Sequence, residues 1–496
     1  MDLFTIGFPV AVAAENLVYC FLGVFLGTFV GVLPGVGALA AVSLLLPITF
    51  YLEPMAGLVM LSGVYYGAEY GGSVASILLN LPGTASSAVV CLDGHPLARR
   101  GRAGVALLFS ALASFFGGIA GILLLIFLTP PLMSVALSFG AAEYFAAMIF
   151  GLITAGTISQ GPPLKGLGMV ILGLLLGCIG TDINTGIPRF TFGLVELWDG
   201  VSLVVLAVGL FGVSEIIASV RSQQGAMISG RIRLREMAPT REETRLFLLP
   251  AIRGTAVGSF LGALPGVGPS IASFLAYATE KRVARDPGRF GKGALEGVVA
   301  PEASNNASVQ TSFIPTLSLG IPGSATMAII LGALLVHGVS PGPRLVLDHP
   351  ELFWGLIASF WIGNLLLLVL NVPLIGLWVR LLSIPYKYLY PGILALICMG
   401  IYSVNSNVFD IWLVLFFGLV GYGMRLLEFE PAPLLIGFIL GPMVEENFRR
   451  AMVLARGDFL QVLAQPVAAG LLLASAAMLG WIVWSGARRS RPAGGP

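Results

Sequence analysis

Apolar residues run along this chain in blocks separated by short polar or Gly/Pro-rich breaks. The blocks fall at about 17–33, 38–50, 57–80, 104–128, 132–155, 166–180 and 201–220. After a polar, basic stretch at 221–245 they resume at 246–264, 267–279, 307–336, 352–379, 388–403, 410–425, 431–444 and 466–485. A helix needs roughly 20 residues, at about 1.5 Å each, to cross about 30 Å of hydrocarbon. The blocks at 38–50 and 267–279 are too short for that, reaching about 20 Å as helix. Each reads as one arm of a re-entrant hairpin. The pattern predicts an all-α polytopic membrane protein with about 12 transmembrane segments and re-entrant hairpins.

Composition agrees. Apolar residues make up 57% of the 496, charged residues only 10%, and mean hydropathy is +0.93. A soluble fold of this length cannot hide that much apolar surface, so the expected surroundings are a lipid bilayer. The net charge of +2 gives no electrostatic footprint for nucleic acid. The four cysteines stand singly and read as small core residues. Nothing reads as a cleavable signal peptide, because the first basic residue is Arg99. Flanking charges give orientation. The first short block is bordered by Asp2, Glu15 and Glu53, the second by Arg231, Arg233, Arg235, Arg241, Arg245, Arg253, Lys281, Arg282, Arg285, Arg289 and Lys292. Under the positive-inside rule the first hairpin opens outside and the second opens to the cytoplasm. One stretch resists this scheme: Arg449, Arg450 and Arg456 are a single span away from Arg488, Arg489 and Arg491.

Two motifs recur. Gly31-Val-Leu-Pro-Gly-Val-Gly-Ala38 matches Gly262-Ala-Leu-Pro-Gly-Val-Gly-Pro269, 231 residues on, and Leu81-Pro-Gly-Thr-Ala-Ser86 matches Ile321-Pro-Gly-Ser-Ala-Thr326, 240 residues on. Because the two copies face opposite sides, they predict two inverted-topology repeats, the architecture of secondary transporters whose sites lie where the repeats meet. The expected organisation is a first membrane repeat at 1–220, a basic cytoplasmic linker at 221–245, a second membrane repeat at 246–485 and a basic cytoplasmic tail at 486–496.

Leu33-Pro34-Gly35-Val36-Gly37 removes one backbone donor and adds two flexible glycines, so helix cannot run through it. Broken backbone at membrane depth survives only when buried in protein or lining a polar cavity. A helix start there offers free N–H groups and a positive dipole end to a carboxylate. We therefore expect substrate binding at Gly35, Val36, Gly37, Asn80, Thr84, Ser86, Gly266, Val267, Gly268, Ser324 and Thr326. Neutral hydroxyls and amides also suit a dehydrated cation, so cation binding is expected at Ser73, Asn305, Asn306, Ser308 and Glu302. Sodium or a proton would be the coupling ion, and no other metal or cofactor is called for. Glu69 is a second candidate intramembrane carboxylate. Asp182 and Asn184 read as an external gate or a plain loop.

Several motifs together resemble one family. They are the paired Gly-x-Leu-Pro-Gly-Val-Gly blocks, Tyr65-Tyr66-Gly67 with Gly71-Gly72-Ser73, Leu92-Asp-Gly-His-Pro96 running into Arg99-Arg100, and Ile187-Pro-Arg-Phe190. Pro301-Glu-Ala-Ser-Asn-Asn306, Gly320-Ile-Pro-Gly-Ser324 and Gly441-Pro-Met-Val-Glu-Glu-Asn-Phe-Arg-Arg450 complete the set. The chain is similar, over roughly residues 15–465, to the large membrane subunit of the bacterial tripartite tricarboxylate transporters. That resemblance implies uptake of a citrate-like di- or tricarboxylate across the inner membrane. It also implies a periplasmic substrate-binding protein, a small membrane subunit with a few helices, and an ion gradient as energy source. The absence of a Walker A string agrees with the last point. Each cation entering with the substrate contributes about 2.3 kcal/mol per 100 mV, so a trianion calls for at least three cations. With no His-Glu-x-x-His and no Gly-x-Ser-x-Gly, an enzyme is disfavoured. A stand-alone carboxylate or anion symporter without partner subunits is the alternative.

Overall fold

The computed structural model describes residues 2–157, 162–182, 184–219, 234–382 and 386–489. It is almost entirely helical. The first six principal helices are α1 (Ala14–Val32), α2 (Gly37–Thr49), α3 (Pro54–Leu79), α4 (Ala103–Ala136), α5 (Ala141–Thr157) and α6 (Pro163–Gly177). Next come α7 (Leu203–Ala218), α8 (Leu248–Gly262), α9 (Gly268–Val283), α10 (Glu296–Thr311), α11 (Ala325–Val336) and α12 (Pro350–Asn371). The last four are α13 (Tyr386–Asn405), α14 (Val408–Leu426), α15 (Ala432–Leu454) and α16 (Pro466–Arg489). Among the described residues, four helical stretches are long and apolar enough to cross a membrane: Ala14–Val32, Ser86–Ala136, Pro350–Asn371 and Val408–Leu426. Shorter apolar helices of 10–17 residues accompany them. This is an all-α membrane protein.

The chain forms two compact units, each drawing on both halves of the sequence. One comprises Met1–Met133 and Val204–Tyr422, the other Ser134–Leu203 and Gly423–Pro496.

In the first unit the innermost elements are α3 and α10. Every residue of α3 from Ala56 to Leu78 is buried, as is every residue of α10. Yet α10 carries Glu296, Glu302, Ser304, Asn305, Asn306, Ser308, Gln310 and Thr311. Backbone-to-backbone packing through glycine makes that burial compact. Gly23, Gly27 and Gly31 of α1 face the carbonyls of Met60, Val64 and Ala68 on α3, and a Cβ at Gly27 would lie 2.3 Å from the Val64 oxygen. Gly254, Gly258 and Gly262 of α8 meet the carbonyls of Ala300, Ser304 and Ser308 on α10 in the same four-residue rhythm, 2.1 Å for a Cβ at Gly258. Small residues at such spacing let membrane helices approach closely where no hydrophobic force drives them together.

The chain also breaks at matching places. α1 stops before Pro34 and α8 before Pro265. Gly35 and Gly37 take φ of 86° and 75°, Gly266 and Gly268 take 79° and 68°, and between them Val36 and Val267 share φ −70° and ψ −47°. Downstream, α3 ends on left-handed Asn80 (φ 56°), and the segment Phe313–Leu319 ends on left-handed Gly320 (φ 70°), 240 residues later.

Two sequence expectations need correction. The apolar block at 307–336 is three pieces: the end of α10, the two-turn segment Phe313–Leu319, and α11, parted by Gly320 to Ser324. The block at 352–379 is parted by a turn between Asn371 and Ile375. Of the linker at 221–245, residues 221–233 lie outside the described residues. The remainder carries a short helix, Arg241–Arg245, capped by Thr240 with Glu243, which also pairs with Arg102.

The second unit packs α5, α6, α15 and α16. A Cβ at Gly173 of α6 would meet the Leu434 oxygen at 2.0 Å, and one at Gly437 of α15 the Val170 oxygen at 2.3 Å. Lys165 at the start of α6 donates to the Leu427 carbonyl (2.8 Å). At the other end a small antiparallel hairpin, β1 (Gly180–Thr181) with β2 (Pro188–Arg189), lies beside α15. So α6 and α15 run parallel.

The glycine contacts make a prediction. Gly27→Ala or Gly258→Ala should lower the thermal unfolding midpoint of the detergent-solubilised protein, with overpacking costing about 1–3 kcal/mol. Gly470→Ala on α16, where a Cβ meets nothing within 4 Å, should leave it unchanged or raise it slightly.

Candidate functional site

The two recurring motifs of the first half form one feature. The Gly35 N–H donates to the Pro82 carbonyl (3.1 Å), the Gly37 N–H to the Gly83 carbonyl (3.0 Å), and the Gly83 N–H to the Gly72 carbonyl (3.3 Å). A Cβ at Gly83 would lie 2.1 Å from the Gly31 oxygen, so only glycine admits the approach. The second Pro-Gly motif thus supplies the acceptors that the first break lacks. The N–H groups of Gly35 and Gly37 are already paired, and the orphan donors left for an anion are those of the first turn of α2.

Beside this junction lie two buried carboxylates. Glu69 of α3 accepts from the Thr84 hydroxyl (3.2 Å), from the Ser86 hydroxyl and from the Asn305 amide of α10 (3.1 Å), all on Oε2. Glu302 of α10 accepts from Ser73 of α3 on Oε1 and from Ser114 of α4 on Oε2 (2.8 Å). Glu69 is 4% and Glu302 1% exposed. Among the described residues neither has an ion-pair partner, so neutral hydroxyls and an amide are all that replace water around them. A carboxylate in that setting is expensive unless a proton or a cation offsets its charge. Around this pair, Tyr65 meets Ser324 (3.4 Å), Tyr66 donates to Gln310 (3.2 Å) and Tyr70 donates to Asn364 (2.8 Å). The network therefore ties α3 to elements from the other half of the chain.

The family model described as "Tripartite tricarboxylate transporter TctA family" matches residues 17–436. This chain belongs to the TctA family. Among its relatives is the "uncharacterized 52.8 kDa protein in TAR-I ttuC' 3'region" of Agrobacterium vitis, 51% identical over 475 residues, covering 95% of this chain and 94% of that one. Another is the "uncharacterized protein in TAR-II ttuC' 3'region" of the same organism, 53% identical over 215 residues, covering 43% of this chain and 89% of that one. No solved structure matches. Membership of the TctA family makes the chain a multi-pass membrane transporter component, the large subunit of a tripartite system.

In this TctA-family chain the anticipated residues divide differently from the expectation. Thr84 and Ser86, expected at substrate, share the Glu69 carboxylate with Asn305, expected at the cation. Ser73 reaches Glu302. Ser324 caps α11 by accepting from the Met327 N–H (3.2 Å) and lies 3.5 Å from where a Cβ at Gly268 would be. Thr326 is buried in the first turn of α11. Val36, Gly266 and Val267 form the breaks themselves. Three residues stand apart: Asn80 is an exposed helix end, Asn306 bonds back to the Glu302 carbonyl of its own helix (3.3 Å), and the buried Ser308 hydroxyl has no hydrogen-bond partner among the described residues. Sequence reasoning named Glu69 as a candidate intramembrane carboxylate without placing it in the site, and did not assign Ser114, Tyr66, Tyr70, Gln310 or Asn364 there. Glu69 and Ser73 stand four apart on one helix face, a usable signal. Ser114, a lone hydroxyl in an apolar run, gave none.

In the second unit Asp182 and Asn184 belong to a polar cluster at the end of α15. Arg449 bonds Asp182 (2.8 Å) and Glu445 (2.6 Å), and Arg189 bonds Glu445 (2.8 Å). The Asn184 N–H and the Arg449 guanidinium hold the Asp182 carboxyl down at about 2, and Arg189 lowers Glu445 likewise. A carboxyl depressed on folding stabilises above its ordinary value, about 3.9 for aspartate, and loses that contribution as pH falls toward the folded value. Acid unfolding followed by tryptophan fluorescence should therefore begin at higher pH in Arg449→Gln than in the unchanged protein. Coincident curves would show that the cluster adds nothing.

Proposed function

We propose that this large subunit imports a citrate-like di- or tricarboxylate by cation symport, working with a small membrane subunit of a few helices and a periplasmic substrate-binding protein in the bacterial inner membrane. The observation that carries this reading is the pair of uncompensated buried carboxylates, Glu69 and Glu302, joined across two matching broken-helix motifs. A uniporter has no need to hold such charges in apolar surroundings. A symporter needs groups whose charge is balanced only when a coupling ion, sodium or a proton, is present.

The closely matching backbone angles at Gly35-Val36-Gly37 and Gly266-Val267-Gly268 support two repeats of one ancestral unit. The asymmetry of basic flanks supports their inversion. The first turns of α2 and α9, opened by those breaks, are the helix starts suited to the substrate's carboxylates. Taken as cytoplasmic under the positive-inside rule, Lys165 would set Arg449, at the far end of the parallel α15, on the periplasmic side. On that orientation α16 would return the chain to the cytoplasm at Arg488.

Uptake of labelled citrate and smaller dicarboxylates by vesicles carrying all three components tests the reading. Transport should need the binding protein and should fall to background when sodium and proton gradients are both collapsed. Undiminished uptake after both are abolished would overturn symport, and full uptake by the large subunit alone would identify a stand-alone carrier.

A further inference from the structure

We propose that Glu69, Asn305, Thr84 and Ser86 form a binding site for one sodium ion, an assignment that rests on the symport reading and names its coupling ion. Four oxygen-bearing side chains from three elements converge here: Glu69 from α3, Asn305 from α10, and Thr84 and Ser86 from the segment leading into the short helix Ser86–Val90. Three of them donate to a single oxygen, Glu69 Oε2. The independent pointer is Asn305. Its Nδ2 lies 3.1 Å from Glu69, while its Oδ1, on a residue only 1% exposed, has no hydrogen-bond partner. Native proteins rarely leave such an oxygen unsatisfied. An unsatisfied amide oxygen on the residue whose Nδ2 holds the carboxylate is a free hard-oxygen donor beside that charge. Gly72 is what admits the Thr84 hydroxyl to this place, since a Cβ there would meet Oγ1 at 2.8 Å.

The chemistry of the set selects the ion. All donors are hard oxygens, suited to alkali and alkaline-earth cations rather than to softer metals. One carboxylate with neutral companions, and no ion-pair partner among the described residues, balances a single positive charge. A divalent ion would leave a net charge in an apolar interior. Magnesium would also keep several waters and demand an octahedral shell. Thr84 Oγ1 and Ser86 Oγ also share a hydrogen bond (2.8 Å), which keeps both hydroxyls beside the carboxylate. A proton needs one donor oxygen and one acceptor, fewer than converge here. Glu302 is different, because both its oxygens already take hydroxyl donors.

The test is sodium-dependent thermal stabilisation of the purified full-length protein in detergent, with choline or potassium chloride holding ionic strength constant. A ligand that binds only the folded state raises the unfolding midpoint by mass action. The midpoint should rise saturably with sodium and not with choline. Glu69→Gln and Asn305→Leu should abolish the rise, and Ser86→Ala, the mildest change, should weaken the apparent affinity at least about tenfold. If Glu69→Gln does not fold, Ser86→Ala carries the test. No sodium-specific rise in the unchanged protein, or an undiminished rise in Glu69→Gln or Ser86→Ala, overturns the site. Carboxylate uptake driven by a proton gradient without sodium would overturn the site and leave import standing. Sodium stabilisation with no uptake of any carboxylate would overturn import and leave the site standing.

Discussion

Burying a helix as polar as α10 is possible only if its neighbours can be held against it by something other than apolar area. Here that something is direct backbone contact. Gly254, Gly258 and Gly262 bring α8 onto the carbonyls of α10, and Gly23, Gly27 and Gly31 do the same for α1 on α3. A side chain at any of these positions would separate the pair by ångströms, and water or lipid would reach the polar face. Dispersion between closely apposed backbones thus holds α1 against α3 and α8 against α10, the two helices that carry Glu69 and Glu302. The ionisable groups depend on the glycines, not the reverse.

The scaffold repeats, but the chemistry does not. Shifting by 240 residues aligns Thr84 with Ser324, Ser86 with Thr326 and Tyr65-Tyr66 with Asn305-Asn306, whereas Glu69 falls on Val309 and Glu302 on Ser62. Hydroxyls are kept because they serve local turns in both copies: Thr84 accepts from the Ser87 N–H (3.3 Å) as Ser324 accepts from the Met327 N–H (3.2 Å). Carboxylates and amides are placed once each, so the elements meet as complementary partners rather than as like charges. A symmetric pair of Glu69 equivalents would set like charges together in a low dielectric.

Hydropathy and Gly/Pro punctuation made the helical class, the short helix α2 and both breaks readable. Pro34 and Pro265 each stand among glycines that take positive φ, a local combination that ends helix. What stayed hidden was α10. With Glu, Ser, Asn, Gln and Thr through its length it gives no apolar block and no amphipathic stripe, because it is buried all round. The block at 307–336 failed for the opposite reason: its apolar content continues across Gly320 and Pro322, so hydropathy alone hides the turn. The partition of site residues between substrate and cation was likewise beyond the sequence. It assumed that motifs close along the chain act together, while Asn305 and Glu69, 236 residues apart, are joined by a hydrogen bond.

The Gly83–Thr84 peptide bond joins the two halves of the chemistry. The carbonyl of Gly83 accepts the Gly37 N–H and so shapes the start of α2, while the next side chain, Thr84, bonds Glu69. A change in the charge balance at Glu69 acts on Thr84 and Ser86, and through one peptide unit on the donors that open α2. Under the proposed symport, an ion at Glu69 and an anion at the start of α2 would not need to touch to influence each other, since both would bear on the segment between Pro82 and Ser87. That is the differential contact a coupled transporter requires. It rests on the closeness that Gly83 permits, where a Cβ would lie 2.1 Å from the Gly31 oxygen. Alanine at Gly83 would therefore part the break from the carboxylate shell even with every ionisable group intact.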